Sequence, residues 1–123
     1  MKQELNEIEI NGVKYVKEGT SQSVAKNTDG LKYVIIRNDT SDVFAGYLEA
    51  IESQKVKLIN SRCLYYYDGA ASIYQLSQDG TNKPDNCKFT CVVPDHNILN
   101  VIEILGCSNL AMKSIQGVKV WEK

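Results

Sequence analysis

Three runs rich in β-branched and aromatic residues, LKYVIIR, VFAGYLEAI and KVKLI, are separated only by the short turn-forming segments NDTSD and ESQ. Parallel strands need long crossovers, so connections this short predict an antiparallel meander. Along the second run, alternation puts Phe44 and Leu48 on one face and Val43 and Tyr47 on the other, and both faces are partly apolar. Such a sheet has to be covered on both sides, by the chain's own helices and by a partner subunit. Gly46, inside the second run, predicts a bend or a close approach by another group.

The flanking sequence adds a hairpin and two helices. In residues 7–18, EIEINGVKYVKE, apolar and polar side chains alternate around Asn11-Gly12. That dipeptide suits a type I′ turn, with Ile8, Ile10, Val13, Tyr15 and Val16 available to pack. Gly19 to Gly30 is polar and turn-rich, anchored only by Val24 and Ala25, and long enough to act as a lid. The third strand should continue through Leu64 and Tyr66 until Asp68 stops it. Asp68 is a suitable N-cap, after which Gly69, Ala70, Ala71 and Ser72 open a helix ending at Gly80. Beyond it, CKFTCVV reads as extended, PDHN as an exposed turn and ILNVIEIL as a core or central strand. Ser108 can cap a last short helix, NLAMKSIQ, closed by Gly117. Trp121 predicts that the tail docks on the body or on another subunit. A chain of 123 residues has room for one core, so residues 1–123 form one α+β domain, mainly antiparallel β: an N-terminal hairpin and a meander sheet with two short helices.

Charge and motifs exclude several functions. With 14 basic and 15 acidic residues the net charge is −1, which supplies no general attraction to DNA. No apolar stretch approaches the roughly 18 residues of a membrane span, and MKQELNEIEI lacks the basic start of a signal peptide, so the expected place is the cytoplasm. Cys63, Cys87, Cys91 and Cys107 read as reduced thiols, acting mainly as small buried hydrophobes. Cys87 and Cys91 are four apart and His96 is the lone histidine, a poor match to structural zinc spacings, so neither metal nor cofactor is expected. G-x-S-x-G, G-x-x-x-x-G-K-[ST] and H-E-x-x-H are all absent, and the chain reads as a binder and not an enzyme.

The binding chemistry concentrates between Asn60 and Val92. Arg62 can fork onto a phosphate, and Tyr65 or Tyr67 can stack on a base, although strand alternation places Arg62 opposite those two tyrosines. Free backbone N–H groups at Gly69 and Ala70 suit an anion, against which stands the charge of Asp68. In the loop Thr81 to Phe89, Asn86 can read a base or ribose edge and Phe89 can stack. The candidate site is therefore Arg62, Tyr65, Tyr67, Gly69, Ala70, Asn86 and Phe89.

The runs NGVKYV, VFAGYLE, LYYYDGAASIYQL and DGTNKPDNCKFTC, with NVIEILGCSNLAMKSI and the closing VKVW, together resemble the phage-encoded Thoeris anti-defence sponge family. The resemblance implies sequestration of a cyclic ADP-ribose isomer, glycocyclic ADP-ribose, made by bacterial TIR-domain sensors. The signal is held without cleavage in the cytoplasm of the infected host, so the Thoeris effector stays silent. It also implies homodimers that can assemble into hexamers as trimers of dimers, and cyclic trinucleotides, a class of cyclic oligonucleotide, as ligands at a separate site. The alternatives are a phage structural or interaction domain with no small ligand, and an enzyme that processes ADP-ribose compounds.

Overall fold

The computed structural model describes residues 24–122. The meander forms as the sequence predicts: β1 (Tyr33–Asn38), β2 (Val43–Glu52) and β3 (Lys55–Tyr66) pair antiparallel in order. They are followed by α1 (Ile73–Asp79), a 3-10 turn (Pro84–Asn86), β4 (Lys88–Phe89), β5 (Val93–Ile98), β6 (Val101–Gly106) and α2 (Asn109–Gly117). The result is an α+β fold dominated by one six-stranded antiparallel sheet. β3 is long enough to carry two partners on its outer edge, β5 along its first half and β4 near its end, while β6 lies outside β1. No helix among the described residues is long and apolar enough to cross a membrane.

The two-sided alternation of β2 builds two cores. Val43 and Tyr47 pack with Tyr33, Ile35, Ala45, Leu64 and Phe89, under Leu76 of α1 and Ala111 and Ile115 of α2. Phe44 and Leu48 pack on the other face with Val34, Ile36, Val56, Leu58, Ile98 and Val101. The sheet covers this second core by curling. β5 and β6 lie on opposite margins of a five-strand span, which in a flat sheet would put them about 19 Å apart. Yet only Leu99 and Asn100 join them, and three Cα steps reach about 11 Å. The margins must therefore turn toward each other, and hydrogen bonds from Val101 N to Gln54 O (2.9 Å) and from Asp39 N to Asn100 O (3.0 Å) close that end.

Bulges permit the curl. Ala45 faces Arg62 and Tyr47 faces Ile59, so β3 advances three residues while β2 advances two, and Asn60 takes up the extra length with φ 53°. Gly46 sits against this bulge, where a Cβ would lie 3.0 Å from Ser61 Cα, the close approach its position predicts.

Several expectations are corrected. Pro94–Asn97, read as a turn, belong to β5; the strand is on an edge, where a proline without an N–H is tolerated. ILNVIEIL is broken by the Leu99–Asn100 corner, and its second half is an outer strand, not a central one. Asp68 does not cap α1: its carboxylate accepts from Gly69 N (2.8 Å) and Asn86 Nδ2 (3.1 Å), and Ser72 is the cap, accepting from Gln75 N at 3.2 Å. Residues 69–72 are bends before a helix of only seven residues. Ser108 caps α2 as predicted, accepting from Ala111 N at 3.0 Å, but Gly117 is the last residue of the helix and Val118 its C-cap. The 7–18 hairpin and residues 19–23 of the expected lid lie outside the described residues. Of that lid, Ala25 is buried and bonded to Cys107 O and from Tyr33 N, both at 2.8 Å, so this part is pinned to the sheet. All four cysteines are free, but Cys91 is exposed and Cys63 half-buried, leaving Cys87 and Cys107 as buried thiols; burial pushes Cys107 up to about 12.

Candidate ligand-binding site

Arg62 enters the first core because the bulge at Asn60 resets the alternation of β3. Its side chain is 3% exposed. Nε donates to Thr90 O at 2.8 Å, Nη1 to Ile115 O at 2.8 Å and Nη2 to Phe89 O at 3.2 Å, and the guanidinium lies over the Phe89 ring, 5.5 Å from its centroid. Ile115 stands near the C-terminal end of α2, where a cation is favoured by the helix dipole. These carbonyls solvate the charge without neutralising it. Among the described residues no carboxylate pairs with Arg62, and a guanidinium has five N–H groups, so two are left over.

Arg62 forms part of the floor of a cavity of about 390 Å³ lined by Tyr33, Tyr47, Asn60, Arg62, Val92 and Gln116. Tyr33 and Arg62 are buried, whereas Asn60, Val92 and Gln116 are exposed and form the mouth. The Tyr33 ring meets Tyr47 edge-on, with centroids 5.0 Å apart. Its hydroxyl is the one buried side-chain nitrogen or oxygen among the described residues that has no hydrogen-bond partner. Burial pushes the pKa of this phenol up, with the nearby Cys107 adding to the effect, so it remains a protonated donor. At the rim, Gln116 Nε2 donates to Tyr47 Oη (3.0 Å), which in turn donates to Met112 Sδ (3.5 Å).

A second hollow, about 590 Å³, is lined by Pro84, Asp85, Cys87, Lys119, Val120, Trp121 and Glu122. The tail docks on the body here. Trp121 N donates to Phe89 O at 2.8 Å, and its indole stacks on Tyr65 with centroids 5.0 Å apart and planes 11° from parallel. The Lys88 ammonium lies 5.5 Å from the indole centroid.

The structure divides the expected site instead of assembling it. Arg62 reaches the first cavity and Tyr65, through Trp121, the edge of the second. Tyr67 and Ala70 pack against the first core. Gly69 has φ 85° and lies under the 81–83 segment, where a Cβ would be 2.7 Å from Lys83 N; the chain itself fills the space expected for an anion. Asn86 is engaged with Asp68 and, through this bond first and Gly69 N second, helps hold the Asp68 carboxyl below its ordinary range. Phe89 is fully buried in β4 and is core, not a stacking residue on a loop. His96, expected in an exposed turn, is half-buried, with Nδ1 3.0 Å from Ser61 Oγ. Tyr33, Tyr47 and Gln116 were not expected at the site. They belong to three different elements, and in sequence Tyr33 and Tyr47 are ordinary strand residues and Gln116 a polar helix residue.

Fold and cavity define a small antiparallel-sheet protein with a buried cation, unpaired with any carboxylate among the described residues, in the lining of a cavity. The chain belongs to the family described as a domain of unknown function, DUF6948, which matches residues 31–115 and so takes in Arg62, the second core and all of the buried first core except Ala25 and Val118. No curated protein and no solved structure matches the chain. Among the described residues, no group of three or more His, Cys, Asp or Glu is placed to hold a metal ion.

Proposed function

We propose that the protein binds and sequesters a cyclic ADP-ribose isomer, glycocyclic ADP-ribose, made by bacterial TIR-domain sensors, and holds it without cleaving it. The observation that supports this reading is the buried Arg62 guanidinium, lacking a carboxylate partner among the described residues, at a cavity whose lining contains no acidic side chain. A buried charge is costly without an opposite charge or a full set of hydrogen bonds, and a ligand with two phosphates supplies both. The choice among phosphate ligands rests on the resemblance, carried above all by the 64–91 stretch, to the Thoeris anti-defence sponges. On this reading the protein acts in the cytoplasm of the infected cell as a homodimer able to assemble into hexamers, with cyclic trinucleotides bound elsewhere.

A sponge has to bind below the working concentration of the signal, and nanomolar binding corresponds to about −12 kcal/mol. Calorimetry with glycocyclic ADP-ribose, followed by heat release and mass analysis of the ligand, tests the proposal. Tight binding with intact ligand recovered is expected. Altered ligand would make the protein an enzyme. No binding would overturn the proposal in favour of an interaction domain, a reading favoured by Tyr65 and Tyr66, which are 66% and 51% exposed.

A further inference from the structure

We propose that Tyr33 is a ligand-binding residue, and that its buried hydroxyl and the two remaining N–H groups of Arg62 form a subsite for a phosphate-class oxyanion. This deepens the reading of the Arg62 cavity as the ligand site.

The donors on the floor fix the chemistry. Arg62 offers only N–H groups, and the buried Tyr33 phenol stays protonated, so the floor presents donors and a positive charge. A cation is repelled there, and a neutral ligand leaves the guanidinium charge unbalanced. An oxyanion accepts from several donors at once and neutralises it, which is the preferred match of a planar guanidinium. No carboxylate lines the cavity to oppose an anion.

The unpartnered hydroxyl is the more telling group. Buried polar groups in folded proteins are nearly always paired, and each exception calls for a reason. A phenylalanine would pack against Tyr47 equally well and leave no donor unpaired. The hydroxyl therefore makes sense as a group held for an acceptor that arrives with the ligand. Its oxygen is screened from solvent, whereas Gln116 and Tyr47 are joined at the rim by a single bond in which Gln116 is exposed. Parting that bond opens the way to the floor, and the Gln116 amide then becomes available to the ligand.

The test uses inorganic phosphate and the full-length chain. Phosphate should raise the melting temperature of the wild type, because a ligand that binds only the folded state stabilises it. It should also shift the Arg62 Nε–H resonance in a ¹⁵N-labelled sample. Tyr33→Phe should melt no lower than the wild type without phosphate, and should bind phosphate about tenfold to a hundredfold more weakly, the loss of one hydrogen bond to a charged group. Equal phosphate affinity in wild type and variant would overturn the proposal. So would the absence of both the melting shift and the Arg62 resonance shift in the wild type, a readout that does not depend on the variant folding. The functional proposal fails separately. If glycocyclic ADP-ribose binds wild type and Tyr33→Phe alike and phosphate does not bind, the subsite is wrong and sequestration stands. If phosphate binding depends on Tyr33 and the cyclic isomer does not bind, the subsite stands and sequestration falls.

Discussion

His96 faces the second core from β5, its ring edge-on to Phe44 with centroids 5.2 Å apart and its Nδ1 bonded to Ser61 Oγ. Burial lowers its pKa below the ordinary value. In the unfolded chain the ring titrates near ~6.5, so below that pH the unfolded state binds more protons than the folded state. Stability should therefore fall as pH drops from the unfolded value through the folded one. NMR titration of the ring should give a pKa under ~6.5, and urea unfolding should show a smaller loss between neutral and mildly acid pH in His96→Gln than in the wild type. A ring titrating at its ordinary value or above would remove the effect. At this scale the sequence was informative about chemistry and uninformative about neighbours. Arg62 stood out as the one arginine of the central stretch, but its burial and its carbonyl partners depend on a bulge that no single residue announces. Tyr33 is one aromatic in a β-rich run, and nothing local indicates that its hydroxyl lacks a partner.

Between β2 and β3, the bulge at Asn60 and the glycine facing it form one device. A methyl group at position 46 would meet Ser61 Cα at 3.0 Å, Ile59 O at 3.2 Å and Leu58 Cβ at 3.3 Å, two of them backbone atoms that cannot move aside alone. Gly46→Ala should cost about 1 to 3 kcal/mol, the usual range for overpacking. It should appear as a lower urea midpoint with an unchanged slope. A loss under ~0.5 kcal/mol would mean that the strands separate at this point without strain. Because Ala45 faces Arg62 across the same pairing, the substitution should also disturb the cavity. Gly46 was legible because a glycine inside a strand of larger side chains needs a reason. PDHN was not, since its residues are turn formers and only the free edge of β3 makes a strand of them. ILNVIEIL misled in the opposite sense. Its apolar residues continue on both sides of Asn100, and the positive φ of Asn100, 58°, marks the corner only once the backbone is known.

The two cores share a wall. Successive residues of β1 enter alternate clusters, Tyr33 and Ile35 the helix-covered one, Val34 and Ile36 the one enclosed by the curl, and all four are buried. β1 is also paired on both edges, by β2 and β6. Neither core can open while the other keeps β1 in place, so the molecule should unfold as one cooperative unit. The Arg62 clamp extends that unit to the tail, because the Phe89 carbonyl accepts from both Arg62 and Trp121. Trp121 is the single tryptophan, and its stacking on Tyr65 makes its fluorescence a probe of the docked tail. Urea transitions followed by that fluorescence and by far-ultraviolet circular dichroism should coincide, the behaviour of a two-state domain. In native-state hydrogen exchange, the bonded amides of β1 should exchange only through global unfolding, while those of the 69–72 bends and the short α1 exchange through smaller openings. A tryptophan transition preceding the circular-dichroism transition would detach the tail from the unit. Amides of β1 exchanging well below the global free energy would show that the two cores open separately, and that the wall they share does not couple them.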